Sequence, residues 1–203
     1  MSVIETPVDQ VERAVSYHGS LCPGLATGIQ AARLAMRELG PRDESDRVVA
    51  VVEADICAVD AIQALTGCTL GNRNLVLRDY GKNVYTFWRV SDGTAVRIAG
   101  KPAWDAAYQA LRMEVASGNA SDADRAELEV ATETEARRIL GTPPEELFDV
   151  RPVSAPVPST SKVDPWITCD GCGEPVMETR TRRRRARQLC VPCFEDGVGA
   201  AAS

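Results

Sequence analysis

Two Cys-x-x-Cys pairs near the carboxyl end constrain this chain more than any other feature. The first pair is Cys169 and Cys172, the second is Cys190 and Cys193, and 17 residues separate the pairs. Four thiolates at this spacing can close a tetrahedron around Zn²⁺, and because the protein supplies every ligand we predict a structural zinc site. A segment of about 35 residues buries too little apolar surface to fold alone, so bound metal must stabilise it.

Prolines separate this cysteine-rich segment from the rest of the chain. Residues 152–165 read PVSAPVPSTSKVDP, in which four prolines stand among small polar residues. Such a composition indicates an extended, semi-rigid linker. We therefore predict a core domain over residues 1–151, a linker over residues 152–165, and a zinc finger with a tail over residues 166–203.

The core domain is predicted to mix helices and strands without a regular β-α-β alternation. After Pro23, apolar residues recur at steps of three and four until Gly40, which indicates an amphipathic helix. Val48–Val52 is predicted to be a buried strand, Ala58–Thr66 a short helix, and Asp92–Gly93 a hairpin turn. The predicted order is α-α-β-α-β-β-β-α-α, so the predicted fold class is α+β with an antiparallel sheet.

The core domain also carries a second group of chemically capable residues. His18 is the only histidine, and both Cys22 and Cys57 stand where a helix is predicted to begin, a position that favours a thiolate. A third cysteine, Cys68, lies in a glycine-flanked loop. Together with Asp55, these residues could converge as a second metal site, or as a thiol site in which His18 is the base. The alternative is that each cysteine is buried and inert.

An arginine-rich run lies between the two cysteine pairs. Residues 180–187 read RTRRRRAR, with Arg182, Arg183, Arg184 and Arg185 in succession. Zn²⁺ with four thiolates carries a net negative charge, which nearby arginines stabilise. The run could equally bind an acidic partner, phosphate or nucleic acid, or be a solvated turn.

Net charge, apolar content and cysteine count limit the partners and the location that we expect for this protein. The net charge of −6 argues against nucleic acid as a partner of the whole 203-residue molecule, although the arginine run keeps that partner open. No apolar run approaches the roughly 20 residues that span a bilayer, and the first residues do not resemble a signal peptide. We therefore expect a cytoplasmic protein without a membrane partner, in which seven cysteines favour metal or thiol chemistry over disulfides.

Three stretches of the chain resemble the FmdE family, named for the FmdE component of molybdenum formylmethanofuran dehydrogenase. They are His18–Ile29, Val52–Leu75 and Arg78–Arg89, and the resemblance covers residues 10–150. The resemblance implies an α+β core that forms homodimers. The cysteine-rich end resembles the treble-clef or DksA/TraR type of zinc finger.

One motif of the family allows a comparison residue by residue. The family motif reads His-Gly-His-x-Cys-Pro-Gly, and this chain matches it from His18 to Gly24 except at Ser20, where the second histidine is expected. The resemblance implies that the motif's histidine and cysteine, here His18 and Cys22, surround a metal-holding cleft together with Cys57. Serine at position 20 replaces a strong metal ligand with a weak oxygen donor.

The resemblance favours an accessory or regulatory subunit associated with formylmethanofuran dehydrogenase-type molybdo- or tungsto-oxidoreductases. One alternative is a stand-alone metal- or thiol-dependent enzyme that uses Cys22 and Cys57. Another is a regulator whose zinc finger binds a protein or nucleic acid through Arg182–Arg185. The sequence leaves open whether the chain is an enzyme, and it names no substrate.

Overall fold

The computed structural model of the protein describes residues 7–40, 46–102, 104–118, 120–160 and 164–196. The chain divides into two compact units, the first ending at Thr160 and the second beginning at Ser161. No helix within the described ranges combines the length and the apolar character that crossing a membrane requires. Residues 197–203 of the predicted tail lie outside the described residues.

The first unit has an α+β fold built on one five-stranded sheet, which confirms the predicted fold class. The strand order is β2-β1-β3-β4-β5. The strands are β1 (Val48–Val52), β2 (Leu75–Leu77), β3 (Val84–Arg89), β4 (Ala95–Gly100) and β5 (Phe148–Pro152). Four of the strands pair antiparallel, but β2 runs parallel to β1, with Leu75 beside Ala50. Every residue of β1 is buried, as its unbroken apolar run predicts.

Helices cover one face of this sheet. Within the described residues they are α1 (Pro7–His18), α2 (Pro23–Leu39), α3 (Ala58–Thr66), α4 (Ala106–Ala116), α5 (Asp122–Gly141) and the single turn α6 (Pro144–Leu147). The central helix is α2, which is buried along most of its length and packs against α3, α5 and the sheet. Gly28 permits the close approach to α3, because a Cβ atom at Gly28 would overlap the backbone of Ala58.

Two elements of the first unit, α6 and β5, were not predicted from the sequence. Four of the five residues of β5 are not buried, so no apolar alternation marks this strand. Residues just beyond it, within the predicted linker, lie against the outer face of the sheet. Val153 and Val157 pack beside Trp88, whose indole Nε1 donates a hydrogen bond to the carbonyl oxygen of Ala155 at 3.1 Å.

The second unit consists of two short hairpins and one helical turn. The first hairpin pairs β6 (Trp166–Thr168) with β7 (Pro175–Met177), and the second pairs β8 (Thr181–Arg184) with β9 (Arg187–Cys190). A 3₁₀ turn (Glu178–Arg180) joins the hairpins, and α7 (Val191–Glu195) follows them. The apolar core is limited to Leu189 and the neighbouring cysteines, with a few half-buried side chains around them. So small a core fits the expectation that metal stabilises this unit.

Candidate metal centres

All four cysteines of the second unit come together. Cys169 and Cys172 lie at the turn between β6 and β7, Cys190 ends β9, and Cys193 lies in α7. Their sulfur atoms all lie within 4.8 Å of one another. Gly171 makes this approach possible, because a Cβ atom there would lie 2.9 Å from both Cβ and Sγ of Cys193.

Backbone groups and neighbouring thiols set the acidity of this cluster. The N–H groups of Cys190 and Gly171 donate to the sulfur of Cys169 at 3.2 and 3.3 Å. Such hydrogen bonds, with that of Cys190 foremost, lower the pKa of Cys169 to about 6. Hydrogen bonding with Cys190 and burial raise the pKa of Cys193 to about 12. Four thiolates this close repel one another, so the donor set fits a cation such as Zn²⁺.

A second cluster forms in the first unit from three predicted residues. His18 ends α1, Cys22 caps the start of α2, and Cys57 precedes α3. One ligand atom of each lies within 4.8 Å of the others, and Nε2 of His18 is 3.7 Å from Sγ of Cys22. Two sulfurs and one imidazole nitrogen suit Zn²⁺ and other borderline or soft transition-metal ions, and they are one protein ligand fewer than the four of a closed structural zinc site.

The start of α2 is shaped around this cluster. Cys22 has extended backbone geometry, and its sulfur accepts a hydrogen bond from the N–H of Leu25 at 3.3 Å. Gly24 lies against the neighbouring thiol, because a Cβ atom there would be 3.0 Å from Cβ and 3.6 Å from Sγ of Cys57. The small residue after Pro23 is therefore required for α2 and Cys57 to meet.

Asp60 belongs to the cluster, although the sequence analysis missed it. Its Oδ2 atom lies 2.7 Å from Nδ1 of His18. A carboxylate on the outer nitrogen of a histidine fixes the ring and its tautomer, and it is a common support for a metal-binding imidazole. The signal that could have revealed Asp60 is its position three residues after Cys57, which places both side chains at the beginning of α3.

The acidity of Cys57 depends on its surroundings. Partial burial of the Cys57 thiol raises its pKa although the residue as a whole is exposed, and the charge of Cys22 raises the pKa further. Two neighbouring thiols therefore resist simultaneous ionisation without a cation between them. Because Cys57 remains exposed, an ion held here could be reached from solvent.

The other residues that the sequence analysis considered for the core site lie outside the cluster of His18, Cys22 and Cys57. The prediction that Cys68 joins the cluster is wrong: Cys68 is fully buried, and its thiol donates to the carbonyl oxygen of Val48 at 3.4 Å. The loop after α3 carries Cys68 beneath β1, where it packs as a small apolar side chain. Asp55 is exposed and stands outside the described metal-competent clusters. Ser20 is exposed and lines an open groove with Leu21 and residues of α5.

The four consecutive arginines have different surroundings. Arg184 is half-buried: its guanidinium lies 4.6 Å from the ring centroid of Phe194 and donates to the Phe194 carbonyl oxygen at 2.6 Å. Arg182, Arg183 and Arg185 are exposed. Arg184 therefore stabilises the second unit itself, and the other three are available to solvent.

Two protein-family models match the chain, and each match includes one of the two clusters. The model of the family described as "FmdE, Molybdenum formylmethanofuran dehydrogenase operon" matches residues 17–149. The model described as "Prokaryotic dksA/traR C4-type zinc finger" matches residues 165–196, which include all four clustered cysteines. This match and the sulfur cluster together support structural zinc in the second unit.

Two individual proteins are also similar to the chain. The "Probable S-adenosyl-L-methionine-binding protein" of Archaeoglobus fulgidus is 30% identical over 197 residues, which cover 89% of this chain and 51% of that protein. The chain thus spans about half the length of that relative. The crystal structure of an FmdE-like protein of the tungsten formylmethanofuran dehydrogenase type from Syntrophus aciditrophicus aligns with a TM-score of 0.62 at 21% identity. That alignment covers 97% of this chain and 94% of the other, and it shows a shared fold.

Proposed function

The chain belongs to the FmdE family, and from that premise we propose that it is a metal-binding accessory subunit of a formylmethanofuran dehydrogenase-type molybdo- or tungsto-oxidoreductase. In this proposal the finger holds a structural zinc ion, and the core unit holds a second metal ion. The observation that carries the proposal is the convergence of His18, Cys22 and Cys57, with Asp60 behind the imidazole.

The donor set of the core cluster defines what it would hold. His18, Cys22 and Cys57 would hold the ion through one imidazole nitrogen and two thiolates, one protein ligand fewer than closes a structural zinc site. When bound, such an ion supplies Lewis-acid chemistry. The residues of this chain have separate tasks: Cys22 and Cys57 provide negative charge, His18 provides a neutral donor, and Asp60 holds the ring in place.

Association with an oxidoreductase is supported by the family description, which refers to a formylmethanofuran dehydrogenase operon. A subunit of this kind needs no redox centre of its own, because electron transfer belongs to the molybdenum or tungsten subunit of its partner. The finger, with its exposed hairpin, provides a surface through which a larger protein could be engaged.

Self-association of the core unit is part of the proposal. An open, largely apolar groove of about 600 Å³ lies among α1, α2 and α5. Val8 lies at its edge with 64% of its surface exposed, and Leu21 and Leu140 also line it. Light scattering should report a dimer for the full chain, and Val8→Asp should shift it toward monomer. A wild-type monomer at high concentration would remove this part of the proposal.

The location proposed for the protein is the cytoplasm. All seven cysteines are free thiols in the structure. A reducing compartment preserves such thiols for metal binding.

A thiol-dependent enzyme is the second function that the core cluster supports. Sγ of Cys22, Nε2 of His18 and Oδ2 of Asp60 follow one another in the order nucleophile, base and orienting carboxylate. The N–H of Leu25 also points at the sulfur and stabilises a thiolate. In that case Cys22 reacts rapidly with electrophiles in the metal-free protein, and bound metal inhibits rather than supports activity.

Native purification tests the accessory role. The tagged full chain is purified from the cells that produce it, and molybdenum, tungsten and zinc are measured across the gel-filtration profile. We expect molybdenum or tungsten to elute with the chain. The C22S/C57S variant, whose finger is intact, shows whether the core cluster is needed for the association. Recovery of the chain without either metal, in repeated preparations, would contradict the accessory role.

A further inference from the structure

We propose that Cys22 and Cys57 form a reversible disulfide when a hydroperoxide oxidises them, and that this disulfide releases the metal ion of the core cluster. Because the two thiolates are metal ligands in the proposed function, this inference rests on that function and adds a form of regulation at the same site. It is carried by the closeness of the two sulfur atoms and by their unequal surroundings.

The two sulfur atoms are already close enough to be joined. Sγ of Cys22 and Sγ of Cys57 lie within 4.8 Å of each other. A disulfide holds its sulfurs about 2.05 Å apart, and rotation about the Cα–Cβ bonds can close a gap of this size. Gly24 keeps the space beside both atoms open, because a Cβ atom there would lie 3.6 Å from Sγ of Cys57 and 3.9 Å from Sγ of Cys22.

The surroundings of the two thiols give them different parts in the oxidation. The sulfur of Cys22 accepts a hydrogen bond from the N–H of Leu25 at 3.3 Å and lies 3.7 Å from Nε2 of His18. Cys57 makes no such capping hydrogen bond, and it is exposed. Hydrogen-bond donors aimed at a sulfur favour the nucleophilic thiolate. Cys22 is therefore the sulfur that attacks the peroxide, and Cys57 is the sulfur that completes the disulfide.

The reaction is a two-electron oxidation in two steps. The sulfur of Cys22 attacks one peroxide oxygen, the O–O bond breaks, and the departing oxygen leaves as water or an alcohol with the thiol proton, so that Cys22 becomes a sulfenic acid. The sulfur of Cys57 then attacks that of Cys22, the S–O bond breaks, and water leaves with the proton of Cys57. The two thiols have lost two electrons, which the peroxide has gained. A dithiol reverses the reaction by exchange, beginning at the exposed sulfur of Cys57.

The disulfide and the metal site exclude each other. A thiolate, and not a sulfur in a disulfide, is the form of cysteine that binds metal. After oxidation the cluster retains only His18 of its three ligands, and a single imidazole is far from the four ligands of a closed zinc site. Oxidation should therefore empty the core site.

Cys68 offers an internal control. It is fully buried, and its thiol donates to the carbonyl oxygen of Val48 at 3.4 Å. Reactivity toward oxidants requires exposure as well as a thiolate. The oxidation should therefore be confined, within the core unit, to Cys22 and Cys57.

Peroxide treatment of the zinc-loaded full chain tests the inference. Hydrogen peroxide is added in graded excess, and mass spectrometry of a non-reduced digest identifies the linked peptides. Zinc release is followed with a chromogenic chelator in the full-length C172S/C190S variant, whose finger lacks two ligands, so that the signal reports on the core cluster. Dimedone, which traps sulfenic acids, is included with Cys57→Ser, and Cys68→Ala is the matched control.

We expect a link between Cys22 and Cys57 in the wild-type chain and a parallel loss of core zinc in C172S/C190S. Dithiothreitol should restore both thiols and the zinc that was lost. In Cys57→Ser the link cannot form, so dimedone should accumulate on Cys22. Cys68→Ala should be linked as fully as the wild-type chain.

The possible failures are distinguishable. Core zinc that is retained after peroxide, or lost without a link between Cys22 and Cys57, would overturn the inference and leave the metal site standing. A link that forms no more often than links to Cys68 would also overturn it. Absence of zinc from C172S/C190S before any peroxide is added would contradict the core metal site of the proposed function itself, and with it the release of metal.

Discussion

Nδ1 of His18 and Oδ2 of Asp60 lie 2.7 Å apart, although 42 positions separate the two residues in the chain. This hydrogen bond joins the end of α1 to the first turn of α3. It leaves Nε2 of His18 facing Cys22, so Asp60 positions a ligand of the core cluster without being placed among the metal donors.

Removing the Asp60 carboxylate should weaken metal binding in the core. We expect Asp60→Ala to lower the affinity of the cluster for Co²⁺ by about 10- to 100-fold, because the imidazole loses its orientation. The measurement is thiolate-to-cobalt absorption during titration of protein whose finger already holds zinc. Asp60→Asn keeps an acceptor oxygen and should retain part of the affinity. The exposed neighbour Asp55 provides the control, and identical titrations of Asp60→Ala and Asp55→Ala would contradict the role given to Asp60.

Cys57 should react slowly in metal-free protein. Burial and the neighbouring Cys22 raise the pKa of the Cys57 thiol, and alkylation requires the thiolate. We therefore expect Cys57 to react more slowly with iodoacetamide near pH 8 than a free cysteine does. Cys22→Ser removes the neighbouring charge and should accelerate the reaction at Cys57. Mass spectrometry of the modified peptides provides the rates, and Cys68→Ala is the control that should leave the rate at Cys57 unchanged. A Cys57 rate unaffected by Cys22→Ser would show that the thiols are not coupled.

The raised pKa also predicts a pH dependence of stability. A thiol whose pKa is higher in the folded protein than in the unfolded chain stabilises the fold below the unfolded value of 9.0. This contribution is lost as the pH rises through the folded pKa. Urea unfolding of metal-free protein should therefore show a smaller loss of stability above pH 9 in Cys57→Ser than in the wild-type chain. An equal loss in both proteins would assign the pH dependence to other groups.

Replacing a helical glycine with alanine should destabilise the protein at Gly28 but not at Gly141. Gly28→Ala places a methyl group into the backbone of Ala58 and should cost about 1–3 kcal/mol of core stability. At Gly141 a Cβ atom meets nothing within 4 Å, so Gly141→Ala should be neutral or stabilise α5 by up to about 1 kcal/mol. Urea unfolding followed by circular dichroism compares the pair, and similar midpoints for both variants would contradict the tight α2–α3 contact.

Sequence patterns predicted those parts of the structure that a few residues close together in the chain determine. The spacing of the cysteine pairs predicted the finger cluster, and the apolar run Val48–Val52 predicted a buried strand. The predictions failed where contacts between distant segments of the chain determine the structure. Asp60 meets His18 only after α1 and α3 have packed together. The burial of Cys68 beneath β1 likewise depends on how the loop after α3 folds back.

The missed strand β5 has a similar physical cause. Its side chains are largely exposed, and its position depends on backbone pairing with β4, in which Val150 lies opposite Ile98. Backbone hydrogen bonding between distant segments leaves little trace in composition. The prolines that follow β5 indicated a linker, yet its beginning packs on the sheet through Val153 and Val157.

Metal stoichiometry tests the central claim most directly, namely that one chain carries two separate metal centres. Elemental analysis is performed on the zinc-reconstituted full chain and on two double variants, C172S/C190S in the finger and C22S/C57S in the core. We predict two bound ions per wild-type chain and one in each double variant. A single ion per wild-type chain that is fully retained by C22S/C57S and lost by C172S/C190S would show that the core cluster holds no metal.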